Sequence, residues 1–212
     1  MFAMQSQPMP LRPTIVVLAA GPGRRFQGPQ HKLQQPLGGA SVLGATLGHA
    51  IESQLPVVVV TTALLAPLVA GLLATRDMLV VSDADARRGI GHSIAVGVAE
   101  RADSPGWLVL PGDMPAVQAT TLRAVAAALA DHPVACAQYR GRRGYPVGFS
   151  AELYSELVML TGNHGARRLI ARYPAHGEEV DDPGVLVDVD TVADLDALRG
   201  AGAEGLPGSR LV

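Results

Sequence analysis

The sequence predicts an α/β protein built on a mainly parallel sheet with helices on both faces. Three observations carry that expectation. Short apolar runs alternate with segments of helical periodicity along most of the chain. One run, Pro56–Val60, is continuously apolar, as in a parallel strand covered on both sides. The first run, Ile15-Val16-Val17, breaks into a basic glycine-rich loop, and α/β proteins place their ligands at the carboxyl ends of strands. With 212 residues and 48% hydrophobic content the chain fits one domain with a substantial core. Aromatics at 4% leave that core to Ala, Val and Leu. We expect a single domain over 14–199, with loose termini at 1–13 and 200–212.

Taken in order, Ile15 to Val17 is the first buried strand. Leu43, Leu47 and Ile51 share one helical face. Pro56–Val60 is the second strand, Ala63–Thr75 a helix, and Met78–Val81 the third strand. Ile94 and Val98, set among alanines, mark a helix ending near Arg101. Trp107–Leu110 is the fourth strand. Leu122, Val125, Ala126 and Leu129 repeat at helical spacing. Val134–Gln138 is the fifth strand, and Cys136 within it reads as a packing residue in a reducing compartment. After residue 138 the pattern changes. Gly141–Gly144 reads as a turn and Tyr145–Phe149 as a strand, so a hairpin adds an antiparallel strand to the sheet. Helices follow at Ala151–Met159 and Gly165–Arg172. Val185–Val189 is expected as a last strand, and Thr191 caps a final helix with Asp194 as the capping-box acid.

Charge and composition exclude several classes. The formal net charge of −2 offers no basic surplus for a phosphate backbone, so nucleic acid is not an expected partner. The six histidines have no paired metal-ligand spacing. The first dozen residues have no apolar signal-peptide core, no run reaches membrane-spanning length, and a cytoplasmic protein is expected.

The chemistry concentrates in five motifs. The first is Leu18-Ala19-Ala20-Gly21-Pro22-Gly23-Arg24-Arg25-Phe26, followed by Lys32. Gly21 and Gly23 let backbone amides approach an anion, and Arg25 and Lys32 add cationic donors. It is neither a dinucleotide fingerprint, because Phe26 stands where a third glycine belongs, nor a P-loop, because no Gly-Lys-Ser/Thr exists. The second motif, Leu110-Pro111-Gly112-Asp113-Met114-Pro115, sets one carboxylate at a strand's carboxyl end. Polyphosphate chemistry uses a hard cation on one or two carboxylates, which makes Asp113 the first metal candidate; the alternative is a turn aspartate. In the third, Val187-Asp188-Val189-Asp190-Thr191, Asp188 and Asp190 project together in extended chain. They are either metal ligands, or Asp190 caps the last helix. In the fourth, Arg87-Arg88-Gly89-Ile90-Gly91-His92-Ser93-Ile94, backbone groups at Gly89 and Gly91 can read a base edge, while Ser93 is equally a helix cap and His92 a loop residue rather than a catalyst. The fifth, Arg140-Gly141-Arg142-Arg143-Gly144-Tyr145-Pro146, either clamps an anionic planar substrate or is an exposed hairpin tip. Gly165 opens a helix that is another anion-site candidate.

The order LAAGPGRRF…K, GIGHSIAVGV, LPGDMPAV, YRGRRGYPVGFS, LTGNHGARRLI and VDVDT resembles the molybdopterin cytidylyltransferase family from Thr14 to Leu198. The resemblance implies a three-layer α/β/α, Rossmann-like fold of the nucleotide-diphospho-sugar transferase type. It implies CTP with Mg²⁺, transfer of CMP to molybdopterin, release of pyrophosphate, and a molybdoenzyme client or its chaperone as partner. Carried onto this chain, it assigns Arg25, Lys32 and Asp113 to catalysis and Leu18, Ala19, Ala20, Gly21, Gly23, Lys32, Gly91, His92 and Ser93 to the nucleotide. It assigns Asp113, Asp190 and Asp188 to the metal, and Arg143, Tyr145, Pro146 and Gly165 to the acceptor. Guanylyl relatives carry LAGG where this chain has Leu18-Ala19-Ala20-Gly21, which favours a pyrimidine. Two departures stand out: Gln27 lengthens the Arg25–Lys32 spacing, and Asn163 stands where the family often has aspartate. The alternatives are a guanylyl or other NTP transferase of the same fold, an oxidoreductase, and a non-catalytic cofactor carrier.

Overall fold

The computed structural model describes residues 11–163 and 165–201, with backbone alone for 165–168 and 201. Parts of the expected loose termini, 1–10 and 202–212, lie outside them. Among the described residues nine strands form: β1 (Thr14–Ala19), β2 (Pro36–Leu37), β3 (Ala40–Ser41), β4 (Val57–Thr62), β5 (Met78–Val81), β6 (Gly106–Pro111), β7 (Val134–Tyr139), β8 (Arg142–Ser150) and β9 (His176–Glu179). The helices are α1 (Val42–Glu52), α2 (Ala66–Ala70), α3 (Asp83–Ala86), α4 (Ile90–Glu100), α5 (Ala119–Ala128), α6 (Tyr154–Leu157), α7 (Gly165–Arg172) and α8 (Val192–Ala201).

Seven strands make one sheet in the order β5-β4-β1-β6-β8-β7-β9. Neighbours pair in parallel except where β8 lies between β6 and β7, antiparallel to both. The two-residue strands β2 and β3 pair only with each other. The period of two along β1 separates two cores. Ile15 and Val17 pack with Leu43 and Leu47 of α1, Leu122 and Val125 of α5, and Leu195 of α8. Val16 packs on the other face with Ile94 and Val98 of α4 and Leu157 of α6. This is the expected three-layer α/β/α architecture. α4 sits so close to β1 that a Cβ on Gly97 would come within 2.3 Å of Val16 Cγ1.

Several local expectations are corrected. Val185–Val189 is not a strand: Pro183–Leu186 is a 3-10 turn, started by Pro183 and by Asp182 accepting from the Gly184 amide. That turn crosses β8 rather than lying beside it, so closely that a Cβ on Gly144 would fall 2.1 Å from the Val185 carbonyl oxygen. The last strand is β9, whose polar residues His176-Gly177-Glu178-Glu179 pair with β7 at the sheet edge. The expected helix Ala63–Thr75 shrinks to α2, begun by Pro67 and followed by Gly71. The one over Ala151–Met159 divides into a 3-10 turn, Ala151–Leu153, and α6. The hairpin turn is tighter than Gly141–Gly144: Arg140 (φ +49°) and Gly141 (φ +76°) make it, and Arg142 and Arg143 belong to β8. β8 is therefore an inner strand, and the arginines are not a free hairpin tip.

The buried carboxylate of Asp182, 2% exposed, joins two parts of the fold. Its Oδ2 accepts from the Gln118 amide (2.9 Å) and the Thr121 hydroxyl (2.6 Å) at the start of α5, and its Oδ1 from the Gly184 amide (2.9 Å). Asp182→Ala leaves three donors without an acceptor. It should lower stability by about 3 kcal/mol, read as a lower urea midpoint, with Asp182→Asn losing less. An unchanged midpoint in Asp182→Ala would contradict this role.

Candidate active site

The site grows from the carboxyl ends of β1 and β6. Past Ala19 the chain turns out through Gly21-Pro22-Gly23, and Gly23 holds φ +60°, a conformation suited to glycine. Phe26 packs against the core, and the chain bends through residues 28–30 before the 3-10 turn Lys32–Gln34. The long Arg25–Lys32 spacing is absorbed in this bend, and Lys32 still reaches the end of β6. His31 stands between loop and turn. Its Nδ1 accepts from the Leu33 amide at 3.2 Å, so the ring proton lies on Nε2, which donates to the Gly21 carbonyl at 2.9 Å. Burial pushes the ring's pKa below the ordinary histidine value, against the Gly21 hydrogen bond.

Lys32 is the centre of the charge arrangement. Its Nζ lies 2.5 Å from Asp113 Oδ2 and 2.7 Å from Asp190 Oδ1, and Arg25 lies 2.7 Å from Asp190 Oδ2. Burial alone would lower the Lys32 pKa; Asp113 and Asp190 outweigh it and hold it above the usual lysine range. Burial likewise pushes Asp190 up, but Lys32 and Arg25 keep it below the usual carboxylate range. Asp188 is different. Burial, then the Asp190 and Asp113 charges, push it up to about 6.

Backbone contacts hold these carboxylates in place. The Gly112 amide donates to Leu18 O (2.9 Å) and Thr46 Oγ1 to Gly112 O (3.0 Å), fixing the chain that carries Asp113. The Val189 amide donates to Asp113 O (2.9 Å), tying the Asp188–Asp190 segment to it. Val187 and Val189 are buried, so the expected alternation survives without a strand. The last helix is capped by the Thr191–Asp194 box: Asp194 Oδ2 accepts from the Thr191 amide (2.7 Å) and Thr191 Oγ1 from the Asp194 amide (3.2 Å). Asp190 is thus not the cap, and its carboxylate is left to the two cations.

Two features suit a hard cation here. Asp113 Oδ1 is buried with no hydrogen-bond partner, and burial followed by the Asp190 and Asp113 charges raises the Asp188 pKa. No three His, Cys, Asp or Glu side chains among the described residues form a closed metal cage. A phosphate-bridging cation does not require one, because it usually takes only one or two carboxylates.

A cleft of about 600 Å³ opens over these groups. Of the nucleotide and catalytic candidates, Leu18, Ala20, Gly21, Gly23, Arg25, Lys32, Ser93 and Asp113 line it. Ala19 is wholly buried in β1. Ser93 does not cap α4; Gly89, at φ +97°, precedes the helix instead. Gly91 gives its amide to Gly162 O (2.9 Å), and His92 faces Asp85 at 3.5 Å; neither lines the cleft. Nor do Asp188 and Asp190, the second of which stands beside Lys32. The acceptor candidates lie apart from the lining: Arg143 donates to Ala175 O (2.8 Å), Tyr145 and buried Pro146 follow it in β8, and Gly165 starts α7. Arg24, Arg87 and Asn163 line the cleft without having been singled out as ligands. Arg24 and Arg87 sit inside motifs already noted, whereas nothing in the sequence marks His31 beyond its place before Lys32.

Residues 15–180 match the family profile described as "MobA-like NTP transferase domain". The purine catabolism protein PucB of Bacillus subtilis (strain 168) is 33% identical over 199 residues, covering 88% of this chain and 95% of PucB. The crystal structure of Rv0371c from Mycobacterium tuberculosis H37Rv is 30% identical, with a TM-score of 0.76, over 90% of this chain and 98% of that one. Rv0371c in complex with manganese aligns at 28% identity and a TM-score of 0.71, over 89% and 98% of the two chains.

The raised Asp188 pKa has a testable consequence. Its folded value of about 6 lies above the ordinary 3.8, so its contribution to stability is full below pH 4 and is lost as pH rises through 6. In metal-free protein, Asp188→Asn should raise the melting temperature at pH 7.5 by about 2–4 °C, the scale of 1 kcal/mol in a domain this size, the full shift being discounted for solvent screening. At pH 4 the gain should vanish. A variant less stable than wild type at pH 7.5 would contradict the crowding of carboxylates.

Proposed function

The chain belongs to the MobA-like NTP transferase family, and from that premise we propose that it transfers CMP from CTP to molybdopterin with release of pyrophosphate. The observation that carries the reading is the convergence of the glycine-rich loop and Lys32 on Asp113, with Arg25 on neighbouring Asp190, at one end of the sheet. The backbone of Leu18 to Gly23 and the two cations neutralise and align the triphosphate. A terminal phosphate oxygen of the acceptor forms a bond to the α-phosphorus. The bond from that phosphorus to the bridging oxygen breaks, and pyrophosphate leaves with the electron pair. No protein nucleophile is needed. We assign the metal to Mg²⁺, held by Asp113 with Asp190 or Asp188; when bound it neutralises charge on phosphate oxygens. The unpartnered Asp113 Oδ1 supports this assignment, as does the manganese complex of Rv0371c.

Ser93, at the cleft wall in the first turn of α4, frames the base, with Gly91 and His92 set behind the lining. Ala20, 3% exposed at the cleft wall, adds a methyl group that favours a pyrimidine over a purine. Arg143, Tyr145, Pro146 and Gly165 form the acceptor side. We further propose a cytoplasmic location and a molybdoenzyme client, or its chaperone, as protein partner. The likeness to PucB supports a client in purine catabolism, the process in that protein's name.

Three experiments test the reading. Initial rates with CTP, GTP, ATP and UTP at equal concentration should favour CTP; a GTP preference would overturn the cytidylyl assignment and leave nucleotidyl transfer standing. Asp113→Asn should fold normally and lose turnover by about a hundredfold or more. Near wild-type turnover in that variant would make Asp113 a turn residue. Because Asp188 ionises near pH 6, affinity for Mg²⁺ or Mn²⁺ should rise between pH 5 and 7, measured by calorimetry. A flat or falling profile would remove Asp188 from the metal site.

A further inference from the structure

We propose that His31 is the positioning residue that shapes the glycine-rich loop and couples it to Lys32, an inference that rests on the nucleotidyl-transfer reading and extends it. The loop between β1 and the Lys32–Gln34 turn has no regular secondary structure. Two side-chain contacts close it: His31 Nε2 donates to Gly21 O at 2.9 Å, and Gln35 Nε2 to Gln30 O at 3.0 Å. The imidazole also fills the space under Gly23, where a Cβ would come within 3.0 Å of Nε2. Its second nitrogen takes the Leu33 amide. One ring therefore fixes the first glycine of the loop, the left-handed turn after it and the turn that carries Lys32.

The Gly21 carbonyl is the group whose direction matters. The next residue is Pro22, so the peptide joining them has an acceptor and no N–H. A carbonyl oxygen turned toward a bound triphosphate would repel it and displace the amides that should meet it. With that oxygen held by His31, the loop offers donors rather than an acceptor to an anion. The neutral Nε2–H tautomer is required, because only it donates to Gly21 while accepting from Leu33.

Two substitutions separate the functions of the ring. In His31→Asn the side-chain oxygen can still accept the Leu33 amide, but the side chain no longer reaches Gly21. In His31→Gln the amide nitrogen can still donate to Gly21, and the Leu33 contact is given up. Hydrogen exchange of free protein should show loop amides of residues 21–31 exchanging about tenfold faster in His31→Asn, with β1 and α1 unchanged, the scale expected for one lost hydrogen bond. The same variant should bind CTP with Mg²⁺ about tenfold more weakly by calorimetry, and His31→Gln should recover most of both losses. Wild-type exchange and CTP affinity in His31→Asn would overturn the proposal. So would equal losses in both variants with a common drop in melting temperature, which is a purely structural role. If wild-type protein binds none of the four nucleoside triphosphates, the nucleotidyl-transfer reading fails by itself, and the exchange comparison still decides whether His31 sets the loop.

Discussion

The arrangement turns on Lys32 held between Asp113 and Asp190. The lysine side chain is 11% exposed and the two carboxylates 18% and 16%, so the ion pairs lie mostly out of water. Such pairs contribute little net stability, because desolvation offsets the attraction. Their value is positional. Asp113 comes from the end of β6, Asp190 from the segment before α8, and Lys32 from the loop after β1. Three distant stretches of sequence meet only because the β1–β6 pair and the Val189–Asp113 backbone bond bring them together.

That meeting concentrates charge at the carboxyl ends of β1 and β6. Asp188, Asp190 and Asp113 repel one another, and Lys32 and Arg25 relieve only part of that repulsion. Asp188 absorbs the remainder by keeping its proton to about pH 6. Asp113, in a cleft walled by Leu18, Ala20 and Pro111, is a place for a divalent cation carried in by phosphates. In the proposed function, the cations of the loop and the acids behind them are complementary halves of a polyphosphate site. The glycines of the loop matter for their small size and for the direction in which they turn the backbone.

Much of this was legible in the sequence, for physical reasons. The strands β1, β4, β6 and β7 are apolar runs because they are buried inside the sheet, and their ends locate the basic loop and Asp113. The Thr191–Asp194 box was legible because capping is local. Edge strand β9 was not, because His176-Gly177-Glu178-Glu179 lacks apolar alternation and owes its conformation to pairing with β7. Val185–Val189 misled in the opposite way: its alternation reflects real burial of Val187 and Val189, but a 3-10 turn and a single backbone bond replace a ladder. The role of His31 was hidden because both of its contacts depend on a loop whose path the sequence does not encode locally.

The fate of the α-phosphate tests nucleotidyl transfer most directly. CTP labelled at that position, incubated with the protein, Mg²⁺ and molybdopterin, should pass its label to molybdopterin while unlabelled pyrophosphate accumulates in equal amount. Labelled molybdopterin in step with pyrophosphate is the result predicted. Release of inorganic phosphate in place of pyrophosphate, or no turnover of any nucleoside triphosphate by folded protein, would contradict it.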